Sequence, residues 1–450
     1  MNIVTRLLKE KLGVSKAIAF TSIARATQGI GGFVTVFLVS RYLTQEEQGY
    51  YYTFGSLLSV QIFIELGLGG IITQFVAHEY AHLHVDESGC VSGNPVHLSR
   101  LASLTHFFAK WYLAASVLLF CILIILGFNF FRTYSVNDNI EWRGPWMILI
   151  VSTSLNLLLS PIFAFFDGIN KVKDVAFIRM VTQMVSLICV WAILICGGKL
   201  YTSALTSTIN LVISASLLIN YKGHLRILKS IAKAEIKVKV SYLKEIFPYQ
   251  WKIALSWMSG YFIFQLFNPV LFAYCGPEAA GHMGMTMAVL NGILNLTLSW
   301  TTTNVPKWSS LIAVKQYDEL DSSFSKVLKA SSAVCLSGII AFLIILFVIG
   351  LLQLPIYGRF LPFYLVACMS ITIFVNNIIN AWATYLRCHK KEPFLIQAVV
   401  VGISSGLSTI MTAKFIGVNG VVIGYTLVNL LISLPLSYYI YTTKKRVYNV

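Results

Sequence analysis

Three sets of side chains in this sequence have the types and spacing to do chemistry. His78-Glu79-Tyr80-Ala81-His82 sets two imidazoles at i and i+4 around a carboxylate. On a helix such a pair binds zinc while the glutamate activates water. Arg25 and Glu65 are ionisable residues inside long apolar stretches, where charge is costly and faces a cavity or a partner. Asn291, Asn295, Ser299 and Thr302 recur at i, i+4, i+8 and i+11, one helical face able to hydrogen-bond a hydroxyl-rich ligand. Asn376, Asn377 and Asn380 form a second polar stripe.

Each set has a plainer reading. Arg25 lies roughly 12 Å into its run at 1.5 Å per residue. It either binds an anionic group or snorkels to the headgroups. Glu65, just before Gly67, Gly69 and Gly70, either carries a coupling proton or neutralises Arg25. Lys110, Arg179 and Lys252 sit nearer the same surface and read as snorkelling cations, and Asp167 ends its run among them. Asn stripes also glue helices together. Trp300 and Tyr261 offer stacking surfaces for sugars. Loose metal binding by His78, His82 and His84 competes with a solvated helix end, which is the default.

The elements that position these groups follow from hydropathy and charge. The 450 residues are 57% hydrophobic and 12% charged, with mean hydropathy +0.74. A soluble chain keeps roughly a quarter of its residues charged, so this is an all-α polytopic membrane protein. About twelve apolar runs reach the ~20 residues that a crossing needs, near 17–40, 50–78, 104–131, 144–166, 175–196, 200–220, 247–274, 279–304, 331–353, 360–385, 393–413 and 418–441. Most of the 34 Lys and Arg fall at the two ends and in every second gap. The positive-inside rule then puts both termini in the cytoplasm. The basic lead Arg6, Lys9, Lys11 and Lys16 stays inside and shows no cleavage site. The net charge of +16 belongs to topology and anionic lipid headgroups rather than to nucleic acid. Five of the eight Cys (Cys121, Cys189, Cys196, Cys335 and Cys368) lie within spans and read as small apolar residues.

The basic segment 221–246 reads as a cytoplasmic linker between an N-terminal six-helix bundle, 1–220, and a C-terminal one, 247–450. The bundles echo each other. Tyr42, Glu46 and Gly49 follow span one, and Tyr274, Glu278 and Gly281 follow span seven at one common offset of 232 residues. Six spans per half is an even number, which predicts parallel repeats about an axis normal to the membrane, with a central cavity between them. No G-x-x-x-x-G-K-[ST] segment is present, so energy from ATP through a phosphate loop is not expected. No cofactor is expected either.

Several stretches resemble Wzx-type polysaccharide flippases of the multidrug/oligosaccharidyl-lipid/polysaccharide exporter superfamily. They are Ser22 to Glu79, with Ser40-Arg41-Tyr42-Leu43, Glu65-Leu66-Gly67-Leu68 and Gln74-Phe75-Val76-Ala77-His78-Glu79, then Trp251 to Pro269, and Tyr385 to Pro393. The resemblance implies two six-helix bundles around a V-shaped cavity in the bacterial inner membrane, and no enzymatic activity. It implies translocation of undecaprenyl-pyrophosphate-linked oligosaccharide repeat units, as in O-antigen and lipopolysaccharide biosynthesis, with membrane lipids and a polysaccharide polymerase as partners. The sister lipid II flippases use arginines in the N-terminal half; Arg25 is the match here, with Lys252 and Arg387 as secondary cations. The two extra spans usual in those flippases are absent. Guanidinium groups suit a diphosphate through their donor fork, and Asn291, Asn295, Asn376 and Asn380 would hold the glycan.

The nearest rival is a cation-coupled multidrug antiporter of the same superfamily. A major-facilitator sugar transporter would need a basic signature where Leu83-His84-Val85-Asp86 stands. An intramembrane zinc protease would pair the histidine motif with Asp167-Gly168, but Pro161 stands one residue too far from Asp167, and twelve spans exceed what that chemistry needs.

Overall fold

The computed structural model describes residues 16–86, 90–135, 139–389 and 391–448. The basic lead 1–15 and Lys390 lie outside them, as do the side chains of Lys16 and Arg25.

Among the described residues twelve long helical elements, counting each broken pair once, follow in order. They are α1 (Lys16–Tyr42), a bent pair α2 (Gln45–Glu65) and α3 (Leu68–Tyr80), α4 (Pro95–Tyr134), α5 (Arg143–Gly168), α6 (Val172–Ile195) and α7 (Tyr201–Asn220). A surface helix, α8 (Lys222–Ala232), leads to a pair of consecutive helices, α9 (Phe247–Phe264) and α10 (Phe267–Cys275), parted at Gln265 and Leu266. The rest are α11 (Pro277–Ala313), α12 (Tyr317–Leu351), α13 (Phe363–Arg387), α14 (Leu395–Phe415) and α15 (Val418–Tyr448). Among the described residues, eight helices are long and apolar enough to cross a membrane, or nine with the α2–α3 pair. A short hairpin, β1 (Leu83–Val85) with β2 (Val91–Gly93), joins α3 to α4.

Packing repeats between the halves. In the first, α1 lies on α6, α4 on α5, α5 on α7 and α6 on α7; in the second, α9 lies on α14, α12 on α13, α13 on α15 and α14 on α15. Each helix of one set occupies the place of its counterpart six crossings later. The halves meet chiefly where α11 crosses α1 and α2, and where α10 lies on α2.

The end of the bundle that carries the α1–α2 and α10–α11 turns is sealed. The two echo glycines form the contact. A Cβ on Gly49 would stand 1.9 Å from the Pro277 carbonyl oxygen, and one on Gly281 would stand 2.9 Å from the Gly49 nitrogen. Gln48 Nε2 donates across the seam to the carbonyls of Gly281 (2.8 Å) and Arg359 (3.1 Å). Beneath it, Tyr50, Phe54, Phe131 and Trp146 of the first half enclose Phe272 of the second, with Tyr50 and Phe272 in a T-shaped pair at 4.9 Å. Thr44 and Glu47 close a capping box at the start of α2, and Lys199 Nζ reaches Glu47 Oε1 at 3.0 Å. Burial lowers the pKa of Arg359, and the nearby Glu47 and Glu278 carboxylates oppose that effect.

Segment 221–246 is not a free tether. Ile227 and Ile231 of α8 are buried. Ser99 Oγ of α4 accepts the backbone N–H groups of Lys237 and Val238, Ser103 Oγ accepts that of Val240, and Ser230 Oγ accepts that of Val91. Lys222, Arg226, Lys229 and Lys233 take the exposed face at i, i+4, i+7 and i+11.

Candidate functional site

Asn291, Asn295 and Thr302 of α11 line one cavity of about 490 Å³, facing Gln28, Gly29 and Gly32 of α1. The 3.6-residue period puts the three on one face, and that face meets the other half. Among the described residues the walls offer amide and hydroxyl groups and no charged side chain, which suits a neutral, hydrogen-bonding ligand. Beyond the α1–α11 seam runs an apolar groove of about 780 Å³, lined by residues such as Phe33, Phe37, Ile293, Leu296, Ala341 and Ile345.

The span-ten stripe sits elsewhere. Asn376 and Asn377 are buried within the second half. Asn376 lies at the Tyr425 hydroxyl, and Asn380 Nδ2 donates to the Asn376 carbonyl at 2.8 Å. Both polar atoms of the Asn377 amide are buried without a hydrogen-bond partner among the described residues. Tyr261 packs edge-on to Phe63 at 5.1 Å across the halves and is buried, whereas Trp300 is 42% exposed.

Glu65 ends α2. Leu66 (φ 51°) and Gly67 (φ 68°) then adopt left-handed backbone, and the chain turns by 41° into α3. Gly67 allows that turn at low cost, and it also faces Ile253 and Trp257 of α9. Ser160 Oγ donates to Glu65 Oε1 at 3.1 Å, Gln61 Nε2 lies 3.4 Å from Oε2, and the Tyr112 hydroxyl is close by. The carboxylate is thus held by neutral donors at a helix break. The Arg25 side chain, its expected partner, lies outside the described residues.

The other expected cations are placed as follows. Lys252 is exposed, with Nζ 5.7 Å from the Trp251 ring centroid. Arg387 forms a fork to Glu392, with Nε at 2.9 Å and Nη2 at 3.0 Å. Arg179, expected to snorkel, lines a cavity of about 420 Å³ inside the first half and donates to Asp167 Oδ2 at 3.2 Å.

In the histidine motif, the carboxylate is already engaged. Glu79 is buried and accepts from Arg100 Nε at 2.9 Å, with His97 Nδ1 at 2.7 Å. The His82 ring stacks on His97 at 4.0 Å, and the His78 side chain is 75% exposed. Among the described residues no group of three His, Cys, Asp or Glu could hold a metal. Arg100 continues to Glu245, which the Ser241 N–H also binds. Desolvation raises the Glu245 pKa, but those bonds outweigh it and hold the carboxyl below its usual range. Sequence reading found Glu79 without its partners. His97 and Arg100 lie beyond a hairpin, and Glu245, the second partner of Arg100, lies beyond the whole first half.

This all-α architecture of two facing helix bundles is a fold shared with solved structures of MOP superfamily transporters. The chain is similar over its whole length to an inward-facing multidrug resistance MATE family transporter, with TM-score 0.67 and 12% identity, covering 99% of that chain. It is similar over 94% of its length to the lipid II flippase MurJ in an inward closed conformation, with TM-score 0.61 and 15% identity, covering 87% of that chain. A MOP superfamily transporter from Pyrococcus furiosus gives TM-score 0.60 at 13% identity, over 97% of this chain and 96% of that one. No protein-family model and no curated protein matches the sequence.

Proposed function

We propose that this protein flips undecaprenyl-pyrophosphate-linked oligosaccharide repeat units, of O-antigen or a related polysaccharide, across the bacterial inner membrane by alternating access. One observation carries the reading: a cavity lined, among the described residues, by amide and hydroxyl groups stands back to back with an apolar groove across the α1–α11 seam. A cargo with a neutral glycan and a long isoprenoid tail has a use for both, whereas a compact amphiphilic cation has no use for a groove of that size. With both termini cytoplasmic, as the charge pattern requires, the sealed Gly49–Gly281 end faces the periplasm and loading occurs from the cytoplasm. Residues 1–220 and 247–450 then rock against each other about the cavity, with 221–246 between them. Arg25 and Lys252 serve as candidate ligands for the diphosphate. Asn291 and Asn295 hold the glycan, while Asn376 and Asn380, packed inside the second half here, reach its path only when that half rearranges. A polysaccharide polymerase receives the product on the far side.

The test is lipid-linked oligosaccharide content and surface polysaccharide in a deletion strain complemented with wild type or Arg25→Ala. Accumulated precursor and lost polymer, rescued by wild type alone, are expected. Unchanged precursor and polymer on deletion would refute the reading.

One observation favours the cation-coupled antiporter. Glu65, held by neutral donors at a helix break, is a carboxylate suited to carrying a coupling cation. Retention of a fluorescent organic cation in the deletion strain, with glycan export intact, would select that reading.

A further inference from the structure

The cavity inside the first half has a stripe that none of the roles above uses. Val172, Ala176, Arg179 and Gln183 recur at i, i+4, i+7 and i+11, so one face of α6 lines it. Opposite stand Gln28 and Thr73, with Asp167 at the end of α5. Among the described residues Arg179 makes a single 3.2 Å bond, to Asp167 through Nη2, and its side chain is 60% exposed. A guanidinium has five N–H donors, so one monodentate bond leaves most of its fork uncommitted. Val172 opens α6, a helix of 24 residues whose N-cap, Lys171, gives no side-chain cap. The positive end of the helix dipole therefore lies at the edge of the same cavity, and the acidic residue of that first turn, Asp174, is engaged by His224. Ala176 leaves room between that helix end and the guanidinium.

We propose that this cavity is an anion site for a phosphate or diphosphate ester, in which Arg179 exchanges Asp167 for the ligand. The empty site is charge-compensated: Asp167 holds the guanidinium in place and excludes weak anions. A diphosphate offers a bidentate acceptor, which a planar fork prefers to one long bond. The α6 N-terminus and Gln183 complete the clasp. Gln28 borders both this cavity and the amide-lined one, so an ester bound here presents its glycan to Asn291 and Asn295. The choice of a diphosphate over other anions rests on the cargo reading; the anion site itself does not.

The site makes a prediction of sign. Removing the competing carboxylate helps an anion and harms a cation; removing the guanidinium does the reverse. Binding of inorganic pyrophosphate and of undecaprenyl pyrophosphate is measured on the purified full-length protein in phosphatidylcholine nanodiscs. Arg179→Gln is expected to weaken undecaprenyl pyrophosphate by about tenfold or more, the loss of a charge-assisted bond pair. Arg179→Lys should fall between, because it keeps charge without the fork. Asp167→Asn should tighten binding several-fold, and a variant that misfolds cannot produce a gain.

Wild-type affinity in Arg179→Gln, or weakening by Asp167→Asn, would overturn the site. Equal affinity for the two probes would keep the anion site but assign it to a soluble ligand. Lost glycan export on deletion, combined with an indifferent Arg179→Gln, refutes this site alone. Arg179-dependent diphosphate binding with unchanged export on deletion refutes the cargo reading alone.

Discussion

Gly49→Ala tests the seal between the halves. A Cβ at this position would stand 1.9 Å from the Pro277 carbonyl oxygen, and real Cβ contacts essentially never fall under 3.0 Å. The obstacle is backbone of the other half, not a side chain that can swing aside, so the two turns must part by about 1 Å. The Gln48 bonds at 2.8 and 3.1 Å then stretch past useful range. Overpacking of about 1–3 kcal/mol and about 1 kcal/mol of lost hydrogen bonding give roughly 2–4 kcal/mol against the sealed state. That is a shift of roughly 30- to 700-fold toward the state open at this end. Spin labels introduced as noncanonical amino acids at the exposed Tyr42 and Tyr274 read the separation of the turns. The distance distribution should move outward in Gly49→Ala. Gly55→Ala, on the same helix with nothing within 4 Å, should leave it unchanged. An unshifted distribution in a folded Gly49→Ala protein would refute the close-contact argument.

Other consequences follow from the same contacts. Asn291→Leu with Asn295→Leu should abolish glycan export at near-normal thermal stability, whereas Asn377→Leu, at a buried unpartnered amide, should alter stability more than export; equal export loss from both would remove the cavity assignment. Glu65→Gln keeps the hydrogen-bond geometry and removes the charge, so transport by reconstituted protein should lose its dependence on an imposed pH gradient; retained dependence excludes Glu65 as the coupling group. Arg100→Ala leaves Glu79 buried with His97 alone and should cost about 1–3 kcal/mol in thermal or denaturant unfolding, without any change in bound zinc. The Glu245 carboxyl is held below its usual value, so its stabilising contribution is complete above pH 4.5 and fades as pH falls through the lowered value. Hydrogen exchange at the start of α9 should therefore rise only below that pH, and Glu245→Gln should remove the step.

Hydropathy and charge made the helical order legible because a bilayer imposes one length and one charge asymmetry on every crossing. The 232-residue echo was legible as repetition, and its reason is steric: Gly49 and Gly281 touch each other. The break after Glu65 falls where Gly67 can take left-handed backbone at low cost. Partner choice was harder to read. The stripes of span eight and span ten have the same period, yet one lines the cavity and the other is packed inside its own half. Periodicity names a face; the neighbouring helices decide what that face meets. Arg179 read as a snorkelling cation because the reversal at Gly168 to Lys171, which brings Asp167 against it, leaves no mark in composition. The histidine motif has a spacing that also fits a metal, but His97 and Arg100 arrive from the first turns of α4, beyond the hairpin, to take the glutamate.

Because Ser99, Ser103 and Ser230 bind residues 237–240 and 91, the long basic segment is docked on the first half. In the proposed rocking motion the covalent joint between the halves then shrinks to the few residues around Ile246 and Phe247. A chain cut at 221 would strip the first half of a docked strap, whereas one cut at 246 would sever the joint and leave both bodies whole. Two polypeptides divided at the second position should reassemble better than two divided at the first, so the length of the loop on paper overstates the slack in the machine.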